Sequence, residues 1–102
     1  MKQAYNEALR DAIRRTHGCD SRHVETVPVH EAFEGKTVWD GCVEVFDLVG
    51  HPMTSQGYAW GFRDDRGQWQ YVAVLKVPPV DSPITAVQAY ILMQQEGRKD
   101  AQ

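Results

Sequence analysis

The chain has 102 residues, of which 42% are hydrophobic and 25% charged, and its formal net charge is −3. This length predicts a single α+β domain over residues 1–102, and the negative charge argues against nucleic-acid binding, which normally requires a basic patch. No apolar run matches a signal peptide or a membrane span, so we expect a cytoplasmic protein without a membrane partner. In that compartment Cys19 and Cys42 are expected to be reduced thiols.

The first predicted element is an amphipathic helix from Lys2 to His17, in which apolar residues recur at helical spacing. Gly18 suits the position just after the helix end. Arg14, Arg15 and His17 suit the negative end of the helix dipole. The helix is therefore expected to bury one face and to expose a mildly basic one.

Four strand candidates follow, at residues 23–33, 37–49, 57–63 and 68–77. Pro28 places the first strand at a sheet edge, because proline cannot donate to a ladder. The last two strands are expected to form a hairpin closed by the four residues Asp64 to Gly67. With that loop length Phe62 faces Trp69 and Trp60 faces Tyr71, which gives an aromatic ladder on one face of the sheet.

The second predicted helix begins at Ser82 and Pro83, which suit the N-cap and the first helical position. Its apolar residues spread around nearly the whole circumference, which is typical of a helix buried on more than one side. Gly97 is expected to end it, with residues 96–102 as a frayed tail.

The order of elements predicts an α+β fold: an N-terminal helix, a four-stranded antiparallel meander and a C-terminal helix, with both helices on one face of the sheet. Seven of the ten aromatic residues lie between Trp39 and Tyr71. The face without a helix would then expose several of them, and an apolar patch of this kind usually marks an interface or a ligand groove.

The first functional hypothesis is therefore a non-enzymatic homo-oligomer, with a dimer favoured. The alternative is a protein that binds a small apolar or cationic molecule, since aromatic faces and carboxylates attract cations. The residues expected to line such a ligand site are Trp39, Asp40, Glu44, His51, Tyr58 and Trp60.

An enzymatic role is the least favoured hypothesis, and it would use Cys42 with His51 or His30 as thiol and base. No metal or cofactor is expected. Four residues that could ligate a metal lie close together in sequence, but they lack the paired spacing of a tetrahedral site: His17, Cys19, Asp20 and His23. No phosphate loop, nucleophile elbow or dinucleotide motif is present.

The segments at residues 35–39, 43–48, 50–52, 58–60 and 78–83 together resemble small uncharacterised bacterial proteins of the kind encoded on mobile, integron-type gene cassettes. The resemblance covers over half of the chain. That group has no assigned function, so the resemblance implies no activity and no site residues. It favours an accessory protein over a housekeeping enzyme.

Overall fold

The computed structural model describes the backbone of residues 2–100 and the side chains of residues 3–94. Its elements are α1 (Lys2–His17), β1 (Asp20–Phe33), β2 (Lys36–Val49), β3 (Gln56–Arg63), β4 (Trp69–Leu75) and α2 (Pro83–Asp100). The strands form one antiparallel sheet in the order β1-β2-β3-β4. The predicted α+β fold is confirmed, with the predicted sequence of helices and strands.

The end of α1 and the start of α2 follow the expected local signals. Gly18 has a positive φ of 71°, and its N–H donates to the carbonyl of Arg14 at 2.9 Å, which closes α1. At the start of α2 the hydroxyl of Ser82 accepts from the N–H of Thr85 at 3.3 Å, as an N-cap does. Gly97 does not end α2, which continues to Asp100. A glycine inside a helix costs only about 1 kcal/mol, which its neighbours can offset.

Strands β1 and β2 form a long hairpin that extends beyond the rest of the sheet. Each strand has 14 residues, but β2 pairs with β3 only from Glu44 to Asp47. We call residues 27–43, which lie past this short pairing, the arm. β1 forms one edge of the sheet, as Pro28 predicts.

The β3–β4 hairpin is shifted by one residue from the predicted register. Phe62 pairs with Gln70, and Trp60 pairs with Val72. The connecting loop has five residues, 64–68, because the N–H of Asp64 bonds to the carbonyl of Gln68 at 2.8 Å. A shift by one residue sends every side chain of a strand to the other face. The predicted single aromatic ladder is therefore wrong: β3 and β4 place their aromatic residues on opposite faces.

The sheet has a buried apolar cluster on each face. On the α1 side, helix residues Leu9 and Ile13 pack with Phe46, Leu48 and Ala59 of the strands. On the α2 side, helix residues Ala86 and Val87 pack with Val29, Val43, Val45, Tyr58 and Trp60. Successive strand residues point to opposite faces, and these two clusters take neighbouring residues of β2 and of β3. The helices therefore contact opposite faces, which differs from the expectation that both lie on one.

Candidate functional site

The sheet separates the six residues that the sequence suggested for a ligand site. Trp39, Tyr58 and Trp60 belong to the cluster on the α2 side. Glu44 is buried on the α1 side, Asp40 is exposed on the arm, and His51 lies in the loop between β2 and β3. These residues do not come together in one groove. The physical reason is parity, because odd and even residues of one strand point to opposite faces.

The tryptophans on the α2 side serve as core packing. Trp60 is 1% exposed, and its ring meets Trp39 and Tyr90 edge to face, with centroid separations of 5.6 and 5.5 Å. Such arrangements add to the stabilisation from buried area. The indole Nε1 of Trp60 has no hydrogen-bond partner among the described residues. No open surface reaches this ring, so it does not line a groove.

His51 has a structural role within its loop. Its Nδ1 accepts from the backbone N–H of Met53 at 3.1 Å. The ring also lies edge-on to His17 with centroids 6.5 Å apart. His17 in turn contacts the carbonyl of Ala73 through Nε2 at 3.1 Å. This histidine pair links the loop to the C-terminal end of α1. Cys42, the thiol considered as a partner for His51, lies elsewhere, exposed on the arm.

Glu44 is the most unusual polar residue of the sheet, because it is a carboxylate that is only 6% exposed. Its Oε1 lies 2.7 Å from Nε2 of His23 and also accepts from the hydroxyl of Thr26. The His23 ring packs edge-on against Phe46 at 5.4 Å. A buried carboxylate is costly unless it is hydrogen-bonded, and these two partners reduce that cost. They also fix the orientation of the His23 ring.

Tyr5 of α1 lies beside this pair and fills the place where pairing between β2 and β3 stops. Its hydroxyl oxygen accepts from the N–H of Gly61 at 2.7 Å, in place of a strand carbonyl. Burial raises the pKa of Tyr5 above its ordinary value, and the nearby charge of Glu44 raises that pKa further. The phenol of Tyr5 therefore stays neutral to a higher pH than that of an exposed tyrosine.

A polar groove lies between the N-terminal half of α1 and the start of β1. Gln3, Asn6, Glu7 and Arg10 line it from the helix. Ser21, Arg22 and His23 line it from the strand. The groove encloses about 640 Å³ and is open to solvent. His23 therefore connects the buried Glu44 to an accessible surface.

An apolar groove lies on the opposite side of the molecule, between α2 and the end of the arm. Glu31, Ala32, Phe33 and Val38 line it from the arm. Gln88, Ile91 and Leu92 line it from α2. Its volume is about 460 Å³, and a hydrogen bond of 2.8 Å from Nε2 of Gln88 to Oε2 of Glu31 joins its two walls. The all-round apolar pattern of α2 signalled this surface, although the contribution of the arm was not predicted.

The described part of the chain contains no group of three or more histidine, cysteine, aspartate and glutamate side chains arranged to hold a metal ion. Among the same residues, no helix is long and apolar enough to cross a membrane. No family model matches the chain, and searches of curated proteins and of solved structures found no significant match.

Proposed function

We propose that the protein is a non-enzymatic interaction module that forms a homodimer through the apolar groove and the outward side of α2. The observation that carries this proposal is the clustering of exposed apolar side chains at this end of the molecule. Phe33, Val38 and Leu92 line the apolar groove together, and Phe33 is 68% exposed and Leu92 is 59% exposed. Ile84 and Met93 of α2 are also exposed. Monomeric proteins rarely leave such residues next to one another in water.

The exposed area fits a second copy of the chain. Large apolar side chains have roughly 150–200 Å² of surface, so these five exposed residues present about 500 Å². A standard interface buries about 800 Å² on each partner, of which roughly 60% is apolar. The apolar surface is therefore about the size that one side of a standard dimer needs.

The geometry of α2 suits a two-fold contact. Ile84, Gln88 and Leu92 follow one another at intervals of four residues, so they share one side of the helix. Two copies of this stripe can pack antiparallel, with Leu92 of each copy near the apolar groove of the other. The polar pair of Glu31 and Gln88 then lies within the interface and fixes its register. Such a contact is closed and limits the assembly to two chains.

A homodimer accounts for the exposed apolar surface better than the alternative of a small-molecule binding protein does. The aromatic residues proposed for that alternative are packed in the core, and the carboxylates lie elsewhere. Cys19 and Cys42 are both free, which is in keeping with a cytoplasmic location for the proposed dimer.

The test is the molar mass in solution, measured by light scattering after size exclusion or by sedimentation equilibrium. We expect a dimer at tens of micromolar protein, and we expect Leu92→Asp to be monomeric, because each copy would bury an unpaired charge. Met53→Asp is the matched control, since Met53 is 69% exposed but lies in the loop between β2 and β3. Circular dichroism confirms that both variants are folded.

A strictly monomeric wild-type protein at these concentrations contradicts the proposal. Equal dissociation of the Leu92 and Met53 variants would also contradict it, because the effect of the new charge would then not be specific to α2.

A further inference from the structure

The polar groove beside α1 contains an arginine whose position is fixed by two hydrogen bonds. Nε of Arg10 donates to the carbonyl oxygen of Ser21 at 2.9 Å, and Nη1 donates to Oε1 of Glu7 at 2.9 Å. The other terminal nitrogen, Nη2, has no hydrogen-bond partner among the described residues. Because α1 and β1 both hold it, the guanidinium has little conformational freedom left to lose on binding a ligand.

Two further polar groups around the same groove have unused hydrogen-bonding capacity. The hydroxyl of Ser21 is buried and has no partner. His23 uses Nε2 for Glu44, and no described residue bonds to its Nδ1. Buried polar atoms without a partner are uncommon in folded proteins, and a ligand that supplies the missing partner is one explanation. Three polar atoms without a protein partner therefore surround one groove: Nη2 of Arg10, the hydroxyl of Ser21 and Nδ1 of His23.

We propose that the polar groove binds a small oxyanion, either a carboxylate or a phosphate group. The Arg10 guanidinium makes the principal contact through Nη2 and, in place of Glu7, through Nη1, because two parallel N–H donors match two oxygen atoms of such a group. The imidazolium form of His23, whose Nε2–H donates to Glu44, donates its Nδ1–H to the same molecule. Arg22 also lines the groove, and its guanidinium pairs with Asp47. The bound molecule also offers an acceptor to the hydroxyl of Ser21.

The acidic residues around the groove do not prevent this binding. Glu7 and Arg10 form an ion pair three positions apart on the same helix, and the Glu7 carboxylate is largely exposed. Exposed pairs of this kind contribute little, so an anion can replace Glu7 at Nη1 while the bond from Nε to the carbonyl of Ser21 still holds the guanidinium. Glu44 is bonded to the far nitrogen of His23 and does not line the groove. Asp47 pairs with Arg22 at 3.3 Å, and both side chains are exposed.

The experiment is a titration of the isotope-labelled protein with sodium phosphate and, separately, with sodium acetate, followed by backbone amide NMR. Sodium chloride at matched ionic strength is the reference. We expect saturable shifts at residues 6–10 and 21–23, and the anion that saturates at the lower concentration identifies the class of ligand. Arg10→Gln should weaken binding roughly tenfold to a hundredfold, as expected for loss of hydrogen bonds to a charged group.

Arg15→Gln is the matched control, because Arg15 is an exposed arginine of the same helix that does not line the groove. It should leave the affinity within twofold of the wild-type value. Arg10→Lys keeps the charge but loses the planar donors, and it should bind with an intermediate affinity. The absence of saturable shifts in the wild-type protein overturns the proposal, as does an equal loss in the Arg10 and Arg15 variants. Neither result depends on whether the chain forms a dimer.

Discussion

Replacement of Tyr5 by phenylalanine tests how the sheet is held together where β2 and β3 stop pairing. The variant keeps the ring, which lies 6.2 Å from Trp69 in an edge-on arrangement. It removes only the oxygen that accepts from the N–H of Gly61 at 2.7 Å. The pairing between β2 and β3 ends at Glu44 and Ala59, so no strand carbonyl is paired there to replace that oxygen.

The expected loss follows from the half-buried position of this hydrogen bond. A donor left without a partner costs about 1–2 kcal/mol. With a denaturant slope of about 2 kcal/mol per molar urea, the midpoint of unfolding should fall by about 0.5–1 M. The N–H of Gly61 should also exchange faster with solvent than it does in the wild-type protein. Protein concentration must be the same in all samples, because a dimer gains apparent stability with concentration.

Tyr90→Phe is the control for the loss of a tyrosine hydroxyl. Tyr90 is half-buried, and its ring packs against Trp60 and Phe62, but its hydroxyl makes no hydrogen bond to the described residues. This variant should change the free energy of unfolding by less than about 0.5 kcal/mol. If Tyr5→Phe is no more destabilising than Tyr90→Phe, the hydroxyl of Tyr5 does not support the strand, and the reasoning is refuted.

Two further predictions concern the same region. Gly61→Ala should destabilise the protein by about 1–3 kcal/mol in urea titrations, because the new Cβ would lie 3.0 Å from Tyr71 and 3.1 Å from Tyr5; a neutral effect would show that the two rings move apart easily. Burial raises the pKa of Tyr58 and of Tyr5 above the ordinary value of about 10, so their contribution to stability is complete below pH 10 and is lost as the pH rises through the folded-state pKa. The urea midpoint should therefore fall above pH 10, less steeply in Tyr5→Phe than in the wild-type protein, and a midpoint that stays constant to pH 11.5 would contradict this.

The sequence was a good guide to the elements because their signals are local. The periodicity of α1, the cap at Ser82 and the turn signals between the strands each depend on a few neighbouring residues. The predicted end of α2 at Gly97 was wrong for a related reason. One glycine ends a helix only when the following residues do not continue it. The predicted length of the loop after Arg63 was too short by one residue. This error assigned each side chain of β4 to the wrong face of the sheet.

The positions of the functional groups depend on irregularities in strand pairing that cannot be predicted from the sequence. The pairing of β1 with β2 contains two register shifts, at which Val24 and Val38 have no partner across the hairpin. The shift at Val38 brings that residue to the apolar groove, and the shift at Val24 places Thr26, rather than Glu25, opposite Glu44. Neither valine looks unusual in the sequence, so the residues that contact Glu44 could not be derived from sequence spacing alone.

The position of α2 also has a consequence for the chain during its synthesis. The α2 side of the sheet, which includes Trp60, Tyr58 and Val45, is covered by the last helix in the order of elements. A nascent chain that has emerged only as far as β4 therefore presents this apolar surface without its cover. Such intermediates are prone to aggregate and are typical clients of chaperones. We therefore expect that chains interrupted before α2 depend on chaperones in a way that complete chains do not.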